Sequence, residues 1–194
     1  MDDLRPVLKK FVKAMAGLEI PYVVVGGFAL AGWGWIRATR DVDVIIQLKD
    51  PDVPRFVSAL RDAGFAIKAE DILDALHHKD HFSVFNAETI FHMDAKGVYG
   101  KKEAHTLESR VMVKLADFEL PISGLEDTIA NKLRFGREQD SEDAPTLVIN
   151  NRDVLKMEVL EGLCKEYGQL KELRAIVKKA GRLEAERMPP DRHR

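Results

Sequence analysis

Val25-Gly26-Gly27-Phe28-Ala29 and, further on, Arg37-Ala38-Thr39-Arg40-Asp41-Val42-Asp43-Val44-Ile45-Ile46 carry the strongest structural signals of the chain. Tyr22 to Val25 is a short β-branched run stopped by Gly26-Gly27, and Phe28 to Trp35 then has the length of a short helix. Val42 to Leu48 is a second strand, whose apolar run predicts burial on both faces. Asp41 and Asp43 stand one residue apart at its start. Alternate side chains of a strand point the same way, with their Cα atoms about 6.5–7 Å apart. Both carboxylates therefore reach one metal cluster. Magnesium takes oxygen ligands at about 2.0–2.1 Å and is commonly shared between one or two carboxylates and substrate phosphates.

Two metals about 3.5–4 Å apart can activate an attacking oxygen and stabilise a leaving one, and such a site wants a third carboxylate from a neighbouring strand. Asp94, at the end of Thr89-Ile90-Phe91-His92-Met93-Asp94, is the candidate. Gly26-Gly27 lies between strand and helix, where bare backbone N–H groups approach a phosphate closely. Arg37, Thr39 and Arg40 add charge and hydrogen bonds beside the acidic pair.

Leu4, Val7, Leu8, Phe11, Val12 and Met15 recur at helical spacing before Gly17. Asp50-Pro51 opens a helix reaching Ala63, Phe65 to Lys68 is a strand, and Ile72 to His78 is helix or loop. Phe82 to Phe85 and Thr89 to Asp94 form a hairpin around Asn86-Ala87-Glu88. Arg110 to Lys114 and Asp117 to Pro121 form a shorter one. From Ser123 the pattern is helical, opening on a Ser-Gly-Leu-Glu string with capping-box spacing and bending near Gly168. The expected fold class is α/β of the α+β kind, a mixed sheet flanked by helices with a C-terminal helical part. The expected divisions are a core over 1–122, a helical part over 123–180 packed on it, and a flexible tail over 181–194.

The chain has 194 residues, a formal net charge of −2 and one cysteine, Cys164. Such a charge gives no global pull toward nucleic acid or anionic membrane. A single cysteine excludes an intrachain disulfide and a thiolate zinc site, and points to a reducing compartment. Met1-Asp2-Asp3-Leu4-Arg5 carries acid where a secretory signal carries base, and the uncharged stretch Ile20 to Ile36 is too short for a membrane span. The expected location is cytoplasmic.

The Gly-Gly strand end, the thirteen residues between Gly27 and Asp41, and the aspartate pair on the next strand resemble the nucleotidyltransferase superfamily typified by DNA polymerase beta. The Arg-x-Thr-x-Asp-x-Asp string at Arg37 to Asp43 looks more narrowly like the stand-alone bacterial branch that includes abortive-infection toxin/antitoxin nucleotidyltransferases. Glu126-Asp127-Thr128-Ile129-Ala130-Asn131-Lys132-Leu133-Arg134-Phe135-Gly136-Arg137, followed by Asp140 and Asp143, is similar to that branch's second block. The resemblance spans Val23 to Asp143. It implies metal at Asp41, Asp43 and Asp94, two Mg2+ ions, phosphate at Lys132, a nucleoside triphosphate such as ATP as donor, and an antitoxin protein as a partner. Two departures stand out: Gly-Gly replaces the Gly-Ser of larger members, and Pro145 interrupts the helix expected after Asp143.

Simpler readings stand beside these. Gly26-Gly27 suits a tight turn, Lys132 a solvated helix, and Asp140 a helix cap. His92 suits a structural role, and Trp33 and Trp35 pack against the sheet more readily than they stack a base. His77, His78 and His81 lack the glutamate and thiolates of zinc motifs. The function expected is magnesium-dependent transfer of a nucleoside monophosphate to an acceptor hydroxyl on a small molecule, a protein or a tRNA end. Near-neutral charge does not favour nucleic acid as acceptor. The alternative is a non-catalytic nucleotide-binding or partner-binding scaffold.

Overall fold

The computed structural model describes residues 4–36, 39, 41–86, 88–89, 91–115 and 117–187. The chain divides into two compact units, Met1–Ala29 with Ala38–Ser123, and Leu30–Arg37 with Gly124–Arg194. The helix α2 (Gly26–Gly32) contains the first crossing point.

The first unit is a seven-stranded mixed sheet with helices. Its elements are α1 (Arg5–Ala16), β1 (Tyr22–Val25), β2 (Asp41–Ile46), α3 (Val53–Asp62), β3 (Phe65–Ala66), α4 (Ala69–His78), β4 (His81–Asn86), β5 (His92–Gly97), α5 (Lys101–Glu108), β6 (Val111–Leu115) and β7 (Phe118–Ile122). The strand order is β3-β4-β5-β2-β1-β7-β6. β2 runs antiparallel to β1 and parallel to β5, and β5 runs antiparallel to β4. One face carries Val42, Val44, Ile46, Phe82, Val84, Met93 and Ala95, all buried. The helices α1, α3 and α4 supply matching apolar stripes, with Phe11 meeting Tyr22 edge-on at 5.3 Å and Phe56 meeting Phe82 at 6.3 Å.

The opposite face is covered over only part of its length. There α5 places Leu107 on Val23 and Ile45, and Lys96 of β5 pairs with Glu103 of α5 at 2.9 Å. Toward the start of β2, Asp41 and Asp43 on that face are half-buried. The expectation of burial on both faces of β2 therefore holds for Ile45 and Ile46 and fails at the two aspartates.

The second unit comprises α6 (Leu125–Phe135), α7 (Asp140–Asn150), α8 (Met157–Tyr167), α9 (Leu170–Arg187) and the segment from Leu30. Leu30, Ile129, Leu147 and Leu160 are fully buried at its centre. Gly168, at φ +74°, ends α8 in the left-handed conformation that glycine adopts without strain.

Several expectations need correction. The capping box at the start of α6 is displaced: Gly124 is the N-cap, and the Glu126 carboxylate accepts the Lys156 N–H at 2.8 Å. Pro145 sits inside α7 instead of ending it. A proline there cannot donate to the Ser141 carbonyl, and Lys179 Nζ of α9 donates to that oxygen at 2.9 Å. Trp33 and Trp35 pack on the helical cluster of the second unit, not on the sheet. The final helix continues beyond 180 to Arg187. Among the described residues, no helix is long and apolar enough to cross a membrane.

Candidate active site

The site is built from register. β2 and β5 pair in parallel with Asp41 opposite His92 and Asp43 opposite Asp94, while β4 pairs Ser83 with Asp94 and Phe85 with His92. Cross-strand partners share a face, so three strands present these six side chains to the same side.

Asp41, His92 and Asp94 each offer a ligand atom, and these atoms all lie within 4.8 Å of one another. All three residues are half-buried. The Thr39 hydroxyl donates to Asp41 Oδ1 at 2.9 Å and lies 3.1 Å from the Asp41 carbonyl oxygen, which orients that carboxylate from the loop before the strand. Ser83 Oγ donates to Asp94 Oδ1 at 2.6 Å. The other oxygen, Oδ2, lies 3.4 Å from His92 Nε2. The imidazole stacks on Phe85, ring centres 5.7 Å apart and planes inclined by 25°.

Asp43 is on the same face one pair further along, outside that group of three. Its carboxylate lies against Gly26, so close that a Cβ there would overlap Oδ2. Gly26 has φ +66°, and it follows Val25, the strand partner of Asp43. Glycine at 26 thus meets two demands at once, a left-handed backbone and room for a carboxylate. Gly27 continues the turn into α2. Arg37 and Arg40 lie outside the described residues.

Lys132 is in the second unit and is buried, 8% exposed, with its Nζ 2.7 Å from Asp140 Oδ1 and 2.8 Å from Asp143 Oδ2. Trp35 Nε1 donates to Asp143 Oδ1 at 2.7 Å, and the Arg137 N–H donates to Asp140 Oδ2 at 3.1 Å. Lysine, aspartates and tryptophan form one internal polar cluster. The solvated-lysine reading is overturned, and Asp140 is not the helix cap expected: Gln139 is the N-cap of α7, and the Asp140 carboxylate instead holds the lysine and accepts the Arg137 N–H.

His77, His78 and His81 are exposed and each pairs with its own aspartate, Asp50, Asp74 and Asp80. His92 is the residue whose place at the site the sequence understated. Its signal was the two-residue spacing from Asp94, which puts both on one strand face.

No family model matches the chain, and none of the curated proteins does. Solved structures do. ANT(2'')-Ia, solved in complex with adenylyl-2''-tobramycin, superposes with a TM-score of 0.59 at 14% identity over 85% of this chain and 97% of that one. The solution structure of the same antibiotic-resistance factor gives 0.59 at 14% identity over 96% and 100%. An antigenic nucleotidyltransferase-like protein from Paracoccidioides brasiliensis gives 0.51 at 12% identity over 89% and 91%. With a seven-stranded mixed sheet, an aspartate pair at the start of its fourth-ranked strand and near full-length superposition on these proteins, the chain has the nucleotidyltransferase fold.

Proposed function

We propose that this chain is a magnesium-dependent nucleotidyltransferase that moves a nucleoside monophosphate from a nucleoside triphosphate to an acceptor hydroxyl and releases pyrophosphate. The observation that carries the proposal is the convergence of Asp41 and Asp94, from two strands in register, beside a glycine turn that leaves room for Asp43. A donor set of carboxylates on neighbouring strands suits a hard divalent cation.

In this reading Asp41, Asp43 and Asp94 hold two magnesium ions. Bound metal would neutralise charge on the phosphates and favour the attacking oxygen. The chain's own groups do the rest. Thr39 and Ser83 fix the orientation of Asp41 and Asp94 through hydrogen bonds of 2.9 and 2.6 Å. Backbone N–H groups at Gly26 and Gly27 receive phosphate oxygens, with Arg37, Thr39 and Arg40 contributing hydrogen bonds and charge. Asp94, the acid from the neighbouring strand, takes the acceptor proton. Most of the rate enhancement comes from positioning and charge complementarity, as in phosphoryl transfer generally. Phosphate binding by Lys132 rests on the resemblance alone, and its two salt bridges support a structural role instead.

The adenylyl-2''-tobramycin bound to ANT(2'')-Ia supports a small-molecule acceptor and an ATP donor as the first pair to try. Membership of a toxin/antitoxin pair, with an antitoxin partner, rests on the Arg37 to Asp43 and Lys132 to Asp143 strings. A cytoplasmic location rests on the single cysteine, Cys164. The scaffold alternative would be favoured by an Asp94 turned away from Asp41, and the two share a cluster.

The test is incubation of the protein with magnesium and each α-labelled nucleoside triphosphate, with cell lysate or tobramycin as acceptor. Label is expected on one acceptor with the wild type and not with Asp41→Asn/Asp43→Asn. Absence of transfer, together with absence of magnesium-dependent nucleotide binding, would leave the scaffold.

A further inference from the structure

We propose that His92 is a metal ligand, which makes this centre a mixed imidazole and carboxylate site that binds Mn2+ more tightly than Mg2+; this rests on the metal-dependent transfer proposed above. Atoms bound to one first-row ion at about 2.0–2.2 Å can be at most roughly 4.4 Å apart. The donor atoms of Asp41, His92 and Asp94 lie within 4.8 Å of one another, near enough for side-chain rotation to bring them onto a single ion.

His92 and Asp94 stand side by side on one face of β5. Nε2 and Oδ2 stand 3.4 Å apart, longer than a normal N–H···O hydrogen bond of about 2.7–3.2 Å. The His92 ring is also held in place. It stacks on its cross-strand partner Phe85, and Asp94 is anchored by Ser83 through the oxygen that does not face His92. Both groups that face each other are therefore oriented before any ion arrives, which lowers the cost of binding one.

The donor chemistry then ranks the ions. Mg2+ prefers oxygen and gives up water reluctantly, whereas imidazole nitrogen suits first-row transition ions. Mn2+ accepts carboxylate and water oxygens as Mg2+ does, and as a first-row transition ion it takes a nitrogen ligand more readily than Mg2+. Magnesium would then serve through its abundance, and manganese at lower concentration.

The full-length protein is titrated with Mn2+ by electron paramagnetic resonance, with Mg2+ as competitor, and the bound ion is examined by pulsed resonance for 14N coupling. The wild type is expected to bind Mn2+ about tenfold or more tightly than Mg2+ and to show imidazole 14N coupling. His92→Gln should lose the coupling and most of the preference, with its fold checked by circular dichroism. Phe85→Ala, which keeps the imidazole and removes its stacking partner, should retain the coupling with weaker Mn2+ binding. Bound Mn2+ without 14N coupling in the wild type, an unchanged Mn2+ to Mg2+ ratio in His92→Gln, or no Mn2+ binding at all would each overturn the proposal. Labelled transfer is measured with Mg2+ on the same preparations. Transfer without 14N coupling overturns His92 ligation alone, and coupling without transfer overturns the transferase reading alone.

Discussion

At Gly26 a single missing methyl group decides whether Asp43 can occupy the site. The residue has φ +66°, and a Cβ there would overlap the Asp43 carboxylate. Gly64 is a control in the same unit, with φ +87° and nothing within 4 Å of a built Cβ. Alanine in the left-handed region costs about 1–2 kcal/mol wherever it is forced. Gly26→Ala should therefore lower the urea midpoint at least as much as Gly64→Ala, and only Gly26→Ala should also lower nucleotidyl transfer, on the order of 100-fold, because it displaces a carboxylate. Equal activity in the two variants would show that Asp43 needs no room from residue 26.

Lys132 on α6 faces two aspartates from α7, and this arrangement ties the two helices together by charge. All three groups are nearly buried, at 8%, 5% and 2% exposure for Lys132, Asp140 and Asp143. Removing the lysine leaves two carboxylates without their counter-charge, a change that typically costs about 3–5 kcal/mol. Lys132→Met should therefore lower the unfolding midpoint sharply, and Lys132→Met/Asp140→Asn/Asp143→Asn should recover part of it. A midpoint unmoved by Lys132→Met, with nucleotide affinity lost, would instead assign the lysine to phosphate. Sequence pattern placed these helices but not their pairing, since a lysine and two aspartates look alike on a solvated face and in a buried triad. The same limit explains other elements. β2 was legible because Val42, Val44, Ile45 and Ile46 are β-branched, whereas β5 extends three residues past Asp94 through Ala95-Lys96-Gly97. Those residues have weak strand preference, and pairing with β2 and β4 on both sides outweighs it. Asp94 is consequently mid-strand rather than terminal. The helix α5 escaped notice because Lys101 to Glu108 buries only Thr106 and Leu107, too few positions to show a period. The aspartate pair was legible for the opposite reason: its two-residue spacing is itself the geometry.

Cys164 in the second unit and Tyr22 and Tyr99 in the first are neutral acids that burial helps keep protonated, and they make the chain less stable in alkali. Burial pushes the Cys164 thiol from 9.0 up to about 11, with Glu161 and Glu172 adding to the effect. Burial likewise pushes the Tyr22 phenol from 10.0 up to about 12. In both cases the unfolded chain releases its proton at lower pH than the folded one, so the folded state binds more protons and stability falls as pH rises. The contribution of Cys164 is complete below pH 9 and is lost between 9 and about 11; that of Tyr22 is lost between 10 and about 12. The denaturation midpoint should change little from these groups between pH 7 and 9 and decline above that. Cys164→Ala should flatten the first part of the decline and Tyr22→Phe the second, whatever each substitution does to the midpoint at pH 7. The same thiol should react with a water-soluble disulfide reagent at pH 8 far more slowly in the folded chain than in urea, because both thiolate fraction and access are reduced. A decline above pH 9 of equal steepness in wild type and Cys164→Ala would mean that other groups, not this thiol, govern the alkaline limb.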